Sequence, residues 1–288
     1  MNPDAELELA RPSGYQARSA VLGAMQEHLP RFRWLTEKDS ASFVFDLPQA
    51  TRSSRALLWS PTPLTQEAAR ARGYEFPPAP PPSVLSQANS KENLVRFHLP
   101  GPPRRAFVRT RTELDALLGQ LAPGEKLRAK RRLSFAGRAQ RRISRTLEAL
   151  DERFLAEGLA QGGLLVESEQ NVQREWSIHG VVWGGPRSFG GTTSVSLELG
   201  SACAVETNAH GSVVRIERAE SYPPTLEALG HLVAEGLGEL GYFGPFGLDF
   251  IETDGGIVPS DINARFTLGW SIGVGIARQA WLERMFSQ

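Results

Sequence analysis

Only one cysteine, Cys203, occurs in 288 residues, so the chain forms no internal disulfide. No recognisable catalytic signature surrounds that thiol, and it reads as buried or inert. No stretch approaches the uninterrupted apolar length that spans a bilayer. The first residues, MNPDAELELARPSG, are acidic and lack an apolar centre, so no signal peptide is expected there. Net charge is zero, which removes the overall field that would favour nucleic acid or a membrane surface. The five histidines are scattered without zinc-ligand spacing, and no GK(S/T) phosphate loop occurs. These absences lead us to expect a cytoplasmic chain that engages neither nucleic acid nor membrane.

What is present is the composition of a globular protein, 41% apolar and 22% charged. The charge is unevenly spread: from Arg104 to Arg145 there are 13 Lys and Arg against 3 Asp and Glu. Such a run is either a solvated basic face or a site for a polyanion, and charge alone does not choose between them.

The chain divides at PPAPPPS, residues 77–83, which reads as a stiff linker because successive prolines hold neither a regular helix nor a central strand. Before it, Ser42–Leu47 and Ala56–Trp59 read as strands. Thr62 caps a helix that Pro63 begins and Gly73 ends. Beyond it, Asn89-Ser-Lys-Glu-Asn93 opens a helix. Thr110 and Glu113 form a capping box ahead of Leu114, Leu117, Leu118 and Leu121. Lys126–Lys130 alternates as a strand, and Arg131–Gly137 is a turn of small residues. Ile143, Leu147, Leu150 and Phe154 follow at helical spacing. Strands are expected at 163–167, 175–183 and 213–217. Leu226, Leu229, Val233, Leu237 and Leu240 line a helix ended by Gly241, and a further helix is expected near 274–286. Strands and helices mix without a strict βαβ rhythm, so the fold class is α+β.

Three places carry chemistry. Lys130 ends a strand, with Ser134 and Gly137 in the loop behind it, where small residues let backbone N–H groups approach a phosphate. Glu167 and Glu175 bracket SEQNVQR. A strand ending in a carboxylate, then a turn, can offer backbone groups to a nucleobase and a second carboxylate to ribose hydroxyls. Two surface glutamates flanking a loop are the plainer alternative. Third, GPFGLDFIETDGGIVPSDINARFTLGW, residues 244–270, reads as a hairpin turning at Thr253–Gly256. Period-two alternation puts Asp249 on one face with Asp261 and Asn263, and sends Leu248, Phe250 and Ile262 to the other. Opposed carboxylates need a cation or proton between them, and oxygen ligands suit Mg²⁺. A polar hairpin surface is the competing reading. Pro259 cannot donate to a sheet ladder, so an edge strand or bulge is expected there.

In this order the motifs resemble the ATP-grasp superfamily, which includes D-alanine–D-alanine ligase and biotin carboxylase. The resemblance covers roughly residues 86–275. It implies an ATP-grasp fold: two α+β subdomains, 86–165 and 166–288, clasping ATP, preceded by a short pre-ATP-grasp α/β domain, 1–85. It further implies that Lys91, Lys130, Ser134 and Gly137 contact phosphates, that Glu167 and Glu175 hold adenine and ribose, and that Asp249, Asp261 and Asn263 hold Mg²⁺ or Mn²⁺. Arg265 matches an Arg that holds an acceptor carboxylate or stabilises an acyl phosphate, a catalytic role shared with Lys130. Position 261 departs from the family in carrying Asp where Glu is usual. The activity implied is that of an ATP-dependent, ADP-forming ligase joining a small carboxylate to an amine or thiol, with a homodimer as one assembly open to it. A kinase acting on an anionic acceptor and a non-catalytic nucleotide-binding module are the alternatives. Residues 184–212, rich in Gly, Ser and Thr, are read as a mobile cover or substrate loop.

Overall fold

A computed structural model describes residues 5–10, 49–50, 54–134, 139–183, 196–207, 213–272 and 283–287. Two antiparallel sheets organise the chain, in keeping with the α+β expectation. The first has four strands in the order β1-β4-β2-β3: β1 Ala106–Val108, β2 Leu127–Arg131, β3 Gln140–Ile143 and β4 Leu164–Ser168. The second has five in the order β7-β6-β5-β8-β9: β5 Arg174–Trp183, β6 Ser196–Thr207, β7 Val213–Arg218, β8 Gly244–Thr253 and β9 Gly256–Asn263.

Helices cover these sheets: α1 Ala5–Ala10, α2 Pro63–Ala71, α3 Pro82–Ala88, α4 Asn93–Arg96, α5 Arg111–Gly119, α6 Ala149–Ala160 and α7 Thr225–Glu239. Thr62 accepts from the Thr65 backbone N–H at the start of α2. The capping box of Thr110 and Glu113 closes both ways on α5. Gly241, at φ 80°, takes the left-handed turn after α7 that a side chain would resist. The apolar face of α7 meets Ile178, Phe246, Leu248, Phe250 and Ile262 in one buried cluster. Each of the two fully buried phenylalanines among them contributes about 1.5–3 kcal/mol by leaving water. A second cluster, with Leu114, Leu127, Leu155 and Val166, lies under the four-stranded sheet.

The structure corrects several local expectations. Pro82 opens α3 from within the proline run, because a proline at the first helical turn lacks only an N–H that has no partner there anyway. Asn89 ends that helix, and the helix that follows begins at Asn93. Ala56–Trp59 forms no strand; its neighbour Arg55 makes only an isolated bridge to Glu75. Ile143 ends β3, and Leu150 is exposed, so the apparent helical spacing from 143 mixed two elements. Within 184–212, residues 196–207 are β6, which pairs with both β5 and β7, so that part is sheet and no loop. Ser42–Leu47, Gly137 and most of 274–286 lie outside the described residues.

Candidate functional site

The hairpin of β8 and β9 turns through Asp254-Gly255, with Thr253 opposite Gly256. Asp249 lies directly opposite Asp261, while Leu248, Phe250 and Ile262 point into the core. The register then slips: Phe250 pairs with Pro259, leaving Ser260 as the bulged residue on the outer strand of the sheet. The bulge frees the carbonyls of Pro259 and Ser260 from the ladder. Arg105 Nη2 donates to Pro259 O at 2.7 Å, and Lys130 Nζ donates to Ser260 O at 3.4 Å.

Those two cations come from the four-stranded sheet and flank one carboxylate. Glu167, at the end of β4, accepts from Lys130 Nζ at 2.6 Å and from Arg105 Nε at 2.8 Å. All three side chains are almost entirely buried. Burial pushes the Glu167 carboxyl up, but Lys130 and then Arg105 outweigh that and hold it below the ordinary range. Burial likewise lowers the Lys130 ammonium, with Glu167 opposing the shift. Arg105 also donates to Pro100 O at 2.9 Å, so one guanidinium ties β4, the segment before β1, and β9. Arg105 escaped the sequence reading because Arg104-Arg105 was one doublet in a basic run.

Most of that run is spoken for. Arg104 pairs with Glu125 at 3.0 Å, Arg128 with Glu169 at 2.7 Å and Arg131 with Glu157 at 2.5 Å. Arg109, Arg111, Arg141 and Arg142 pair with Glu92, Glu152, Asp151 and Glu169. Charge in the run is largely cancelled by carboxylates from elsewhere in the chain, which argues against an extended polyanion surface.

On the other side of the site, Lys91 is buried and reaches Asp261 Oδ1 at 2.6 Å. The Lys91 backbone N–H donates to Arg132 O at 3.0 Å, joining the 89–92 turn to the segment after β2. Ser134 is buried at the end of that segment. Glu175 accepts from Thr207 Oγ1 at 3.0 Å, and burial raises its carboxyl above the ordinary range. Two residues on, Ser177 lies in register with Asp249 on β8 and with Cys203 on β6. Glu175, Ser177, Asp249 and Asp261 therefore share one sheet face. Burial pushes the Asp249 carboxyl up to about 6, with Asp261 adding to the shift and hydrogen bonds from Ser177 and Asn263 opposing it. Burial also raises the Cys203 thiol to about 12, so it is inert at neutral pH, as read from the sequence.

Family models give no match to the sequence, and curated proteins give none either. Solved structures do match. The N5-carboxyaminoimidazole synthetase of Staphylococcus aureus, complexed with ADP, superposes at TM-score 0.53 with 16% identity over 77% of this chain and 57% of its own. The N5-carboxyaminoimidazole ribonucleotide synthetase of Thermus thermophilus gives TM-score 0.53 and 16% identity over 81% and 61%. The biotin carboxylase domain of Hydrogenobacter thermophilus 2-oxoglutarate carboxylase, in complex with MgADP and bicarbonate, gives TM-score 0.53 and 17% identity over 78% and 50%. This chain has the ATP-grasp fold. It spans 50–61% of the length of these three relatives in structure.

Within the ATP-grasp framework the donor set is tested by its own chemistry. Asp249 and Asp261 fit a divalent cation: they are opposed on adjacent strands, and the raised Asp249 carboxyl is one that a shared positive charge would relieve. Among the described residues, no group of three or more His, Cys, Asp and Glu gathers as a metal site, so a cation here would rest on these two carboxylates. Asn263 and Arg265 are both engaged by other side chains of the chain. Asn263 donates from Nδ2 to Asp249 Oδ2 at 2.9 Å and accepts at Oδ1 from Arg265 Nη2 at 2.9 Å. Because a guanidinium only donates, the amide oxygen faces Arg265 and the amide nitrogen holds Asp249. Arg265 is itself buried against Glu6 of α1, Nε to Oε1 2.5 Å, so its guanidinium pairs with a carboxylate of this chain.

Proposed function

We propose that the chain is an ATP-dependent, ADP-forming ligase that joins a small carboxylic acid to an amine or thiol through an acyl phosphate. The observation that carries this reading is the meeting of the two sheets. Lys130 and Arg105 reach from one sheet onto the bulge of β9, immediately before Asp261, which opposes Asp249. Cations suited to phosphate and carboxylates suited to a metal are thereby neighbours where the two sheets meet. Glu167 would present the backbone at the end of β4 to adenine, and Glu175 would accept from ribose hydroxyls. Lys91, Lys130, Ser134 and the segment reaching Gly137 would contact the phosphates. Asp249 and Asp261 would hold Mg²⁺ or Mn²⁺, braced by Asn263. When the metal is bound, phosphate charge is neutralised and the γ-phosphorus becomes easier to attack.

The substrate carboxylate attacks that phosphorus, ADP leaves, and the amine or thiol then displaces phosphate from the acyl carbon. The chain's contribution is positioning and charge stabilisation. Lys130, held between Glu167 and the Ser260 carbonyl, is fixed for that task without searching rotamers. A second reading, a nucleotide-binding module without turnover, is favoured by one observation: Arg265 is engaged by Glu6, which removes the expected anchor for an acceptor.

An ATP-consumption screen over carboxylate and amine pools separates the readings. ADP release with acid and amine together, and with neither alone, is the ligase result. Release with a single hydroxyl or phosphate acceptor identifies a kinase, and binding without release identifies the module.

A further inference from the structure

Glu6 and Arg265 lie 259 residues apart and form a buried ion pair in which 3% and 7% of their side chains are exposed. The guanidinium also donates to Phe266 O at 3.1 Å and to Asn263 Oδ1 at 2.9 Å. Asn263 in turn donates to Asp249 Oδ2 at 2.9 Å. Glu6, Arg265, Asn263 and Asp249 thus form one hydrogen-bonded chain running from the N-terminal helix to the opposed carboxylates.

We infer that Glu6 is a positioning residue for the divalent cation at Asp249 and Asp261, which rests on the function proposed above. Glu6 cancels the charge of Arg265. The guanidinium can then orient the Asn263 amide while adding less positive charge beside the metal. Anchoring α1 does not need Glu6, because Glu8 on the same helix already does so. Its carboxylate accepts from Thr62 Oγ1 at 2.6 Å and from the Leu64 N–H at 2.9 Å at the start of α2. Glu6 Oε2, by contrast, is buried with no hydrogen-bond partner among the described residues, a costly arrangement for a contact that serves only to hold a helix. A neutral residue packed there would avoid that cost but would leave Arg265 charged.

The test is calorimetric titration of the full chain with a non-hydrolysable ATP analogue, with and without Mg²⁺, alongside thermal melts. Glu6→Gln is expected to weaken binding of the Mg²⁺ complex about tenfold and to leave metal-free binding within about twofold. Glu8→Gln should lower the melting temperature and leave the gain from Mg²⁺ at the wild-type value. The double variant Glu6→Gln/Arg265→Gln carries no unpaired buried charge and serves if the single variant does not fold. It restores the charge balance but lacks the guanidinium that orients Asn263, so it is expected to bind the Mg²⁺ complex more tightly than Glu6→Gln and about threefold more weakly than wild type. Equal losses with and without Mg²⁺ in Glu6→Gln, or a tenfold loss in the double variant, overturn the inference while leaving the ligase reading intact. A wild-type chain that gains nothing from Mg²⁺ overturns both.

Discussion

Lys91 Nζ and Asp261 Oδ1 are 2.6 Å apart across 170 residues of sequence. The pair fastens the 89–92 turn to β9 and supplies Asp261 with one cation before any metal arrives. A divalent ion at Asp261 therefore shares that carboxylate with Lys91. Lys91→Met is predicted to lower stability by about 1–3 kcal/mol, as the carboxylate loses its charged hydrogen bond. The same variant should gain more melting temperature from Mg²⁺ than wild type does. An equal or smaller gain, read by thermal melts, would mean that Lys91 and the metal do not share Asp261.

Glu167 stands between two buried cations, so Glu167→Gln leaves Lys130 and Arg105 uncompensated. A loss of about 3–5 kcal/mol is expected by urea unfolding at pH 7. The pH dependence follows from the depressed carboxyl. Its contribution is complete above the unfolded value of 4.5 and is lost as pH falls through the lower folded value. Glu167→Gln should therefore flatten the acid limb of the stability curve below that point. An unchanged acid limb would place the stabilising charge elsewhere.

Asp249 behaves in the opposite sense. Its folded carboxyl titrates near 6 against 3.8 unfolded, so between those values the folded chain holds the extra proton. Stability then falls as pH rises from about 4 to 6, by at most about 3 kcal/mol. Asp249→Asn is predicted to remove that decline, to be more stable than wild type at pH 7 without metal, and to lose Mg²⁺-dependent nucleotide affinity. Unfolding at a series of pH values checks the first two claims, and titration checks the third. A less stable variant with intact Mg²⁺ dependence would count against the assignment.

Glu175 is held by Thr207 on β6 and faces the same side of the sheet as Ser177. If it accepts from ribose hydroxyls, Glu175→Gln weakens ATP binding by about tenfold, the worth of a hydrogen bond to a charged acceptor. The variant should also discriminate less between ATP and 3′-deoxy-ATP. Unchanged discrimination would assign Glu175 to structure alone.

Short-range signals were the legible ones. Thr62-Pro63, the Thr110/Glu113 box, the Asp254-Gly255 turn and the alternation through Leu248–Phe250 each act within a few residues, and each forms as expected. Pro259 was also readable, since a residue without an N–H belongs on an edge or at a bulge and is found at both. β6 was hidden by Gly200, its two serines and the glycine-rich sequence before it, which resemble a loop until β5 and β7 flank the strand. The candidate site residues Lys130, Glu167, Asp249 and Asp261 were nameable because their order along the chain carries information. Their partners were not. Arg105 on Glu167, Lys91 on Asp261 and Glu6 on Arg265 are contacts between segments 62 to 259 residues apart, and no local pattern encodes them. The orientation of Asn263 is set by Arg265 two residues on, which Glu6 holds in turn, and so could not be read either.

Everything proposed for this chain depends on a nucleotide and its divalent ion binding between Lys130 on one sheet and Asp249 and Asp261 on the other. Calorimetric titration of the wild-type chain with a non-hydrolysable ATP analogue, with and without Mg²⁺, decides that point. Binding that Mg²⁺ tightens by about tenfold or more is expected, with Lys130→Ala abolishing binding in both conditions. No binding of any adenine nucleotide, or binding indifferent to both Mg²⁺ and Lys130, would refute it.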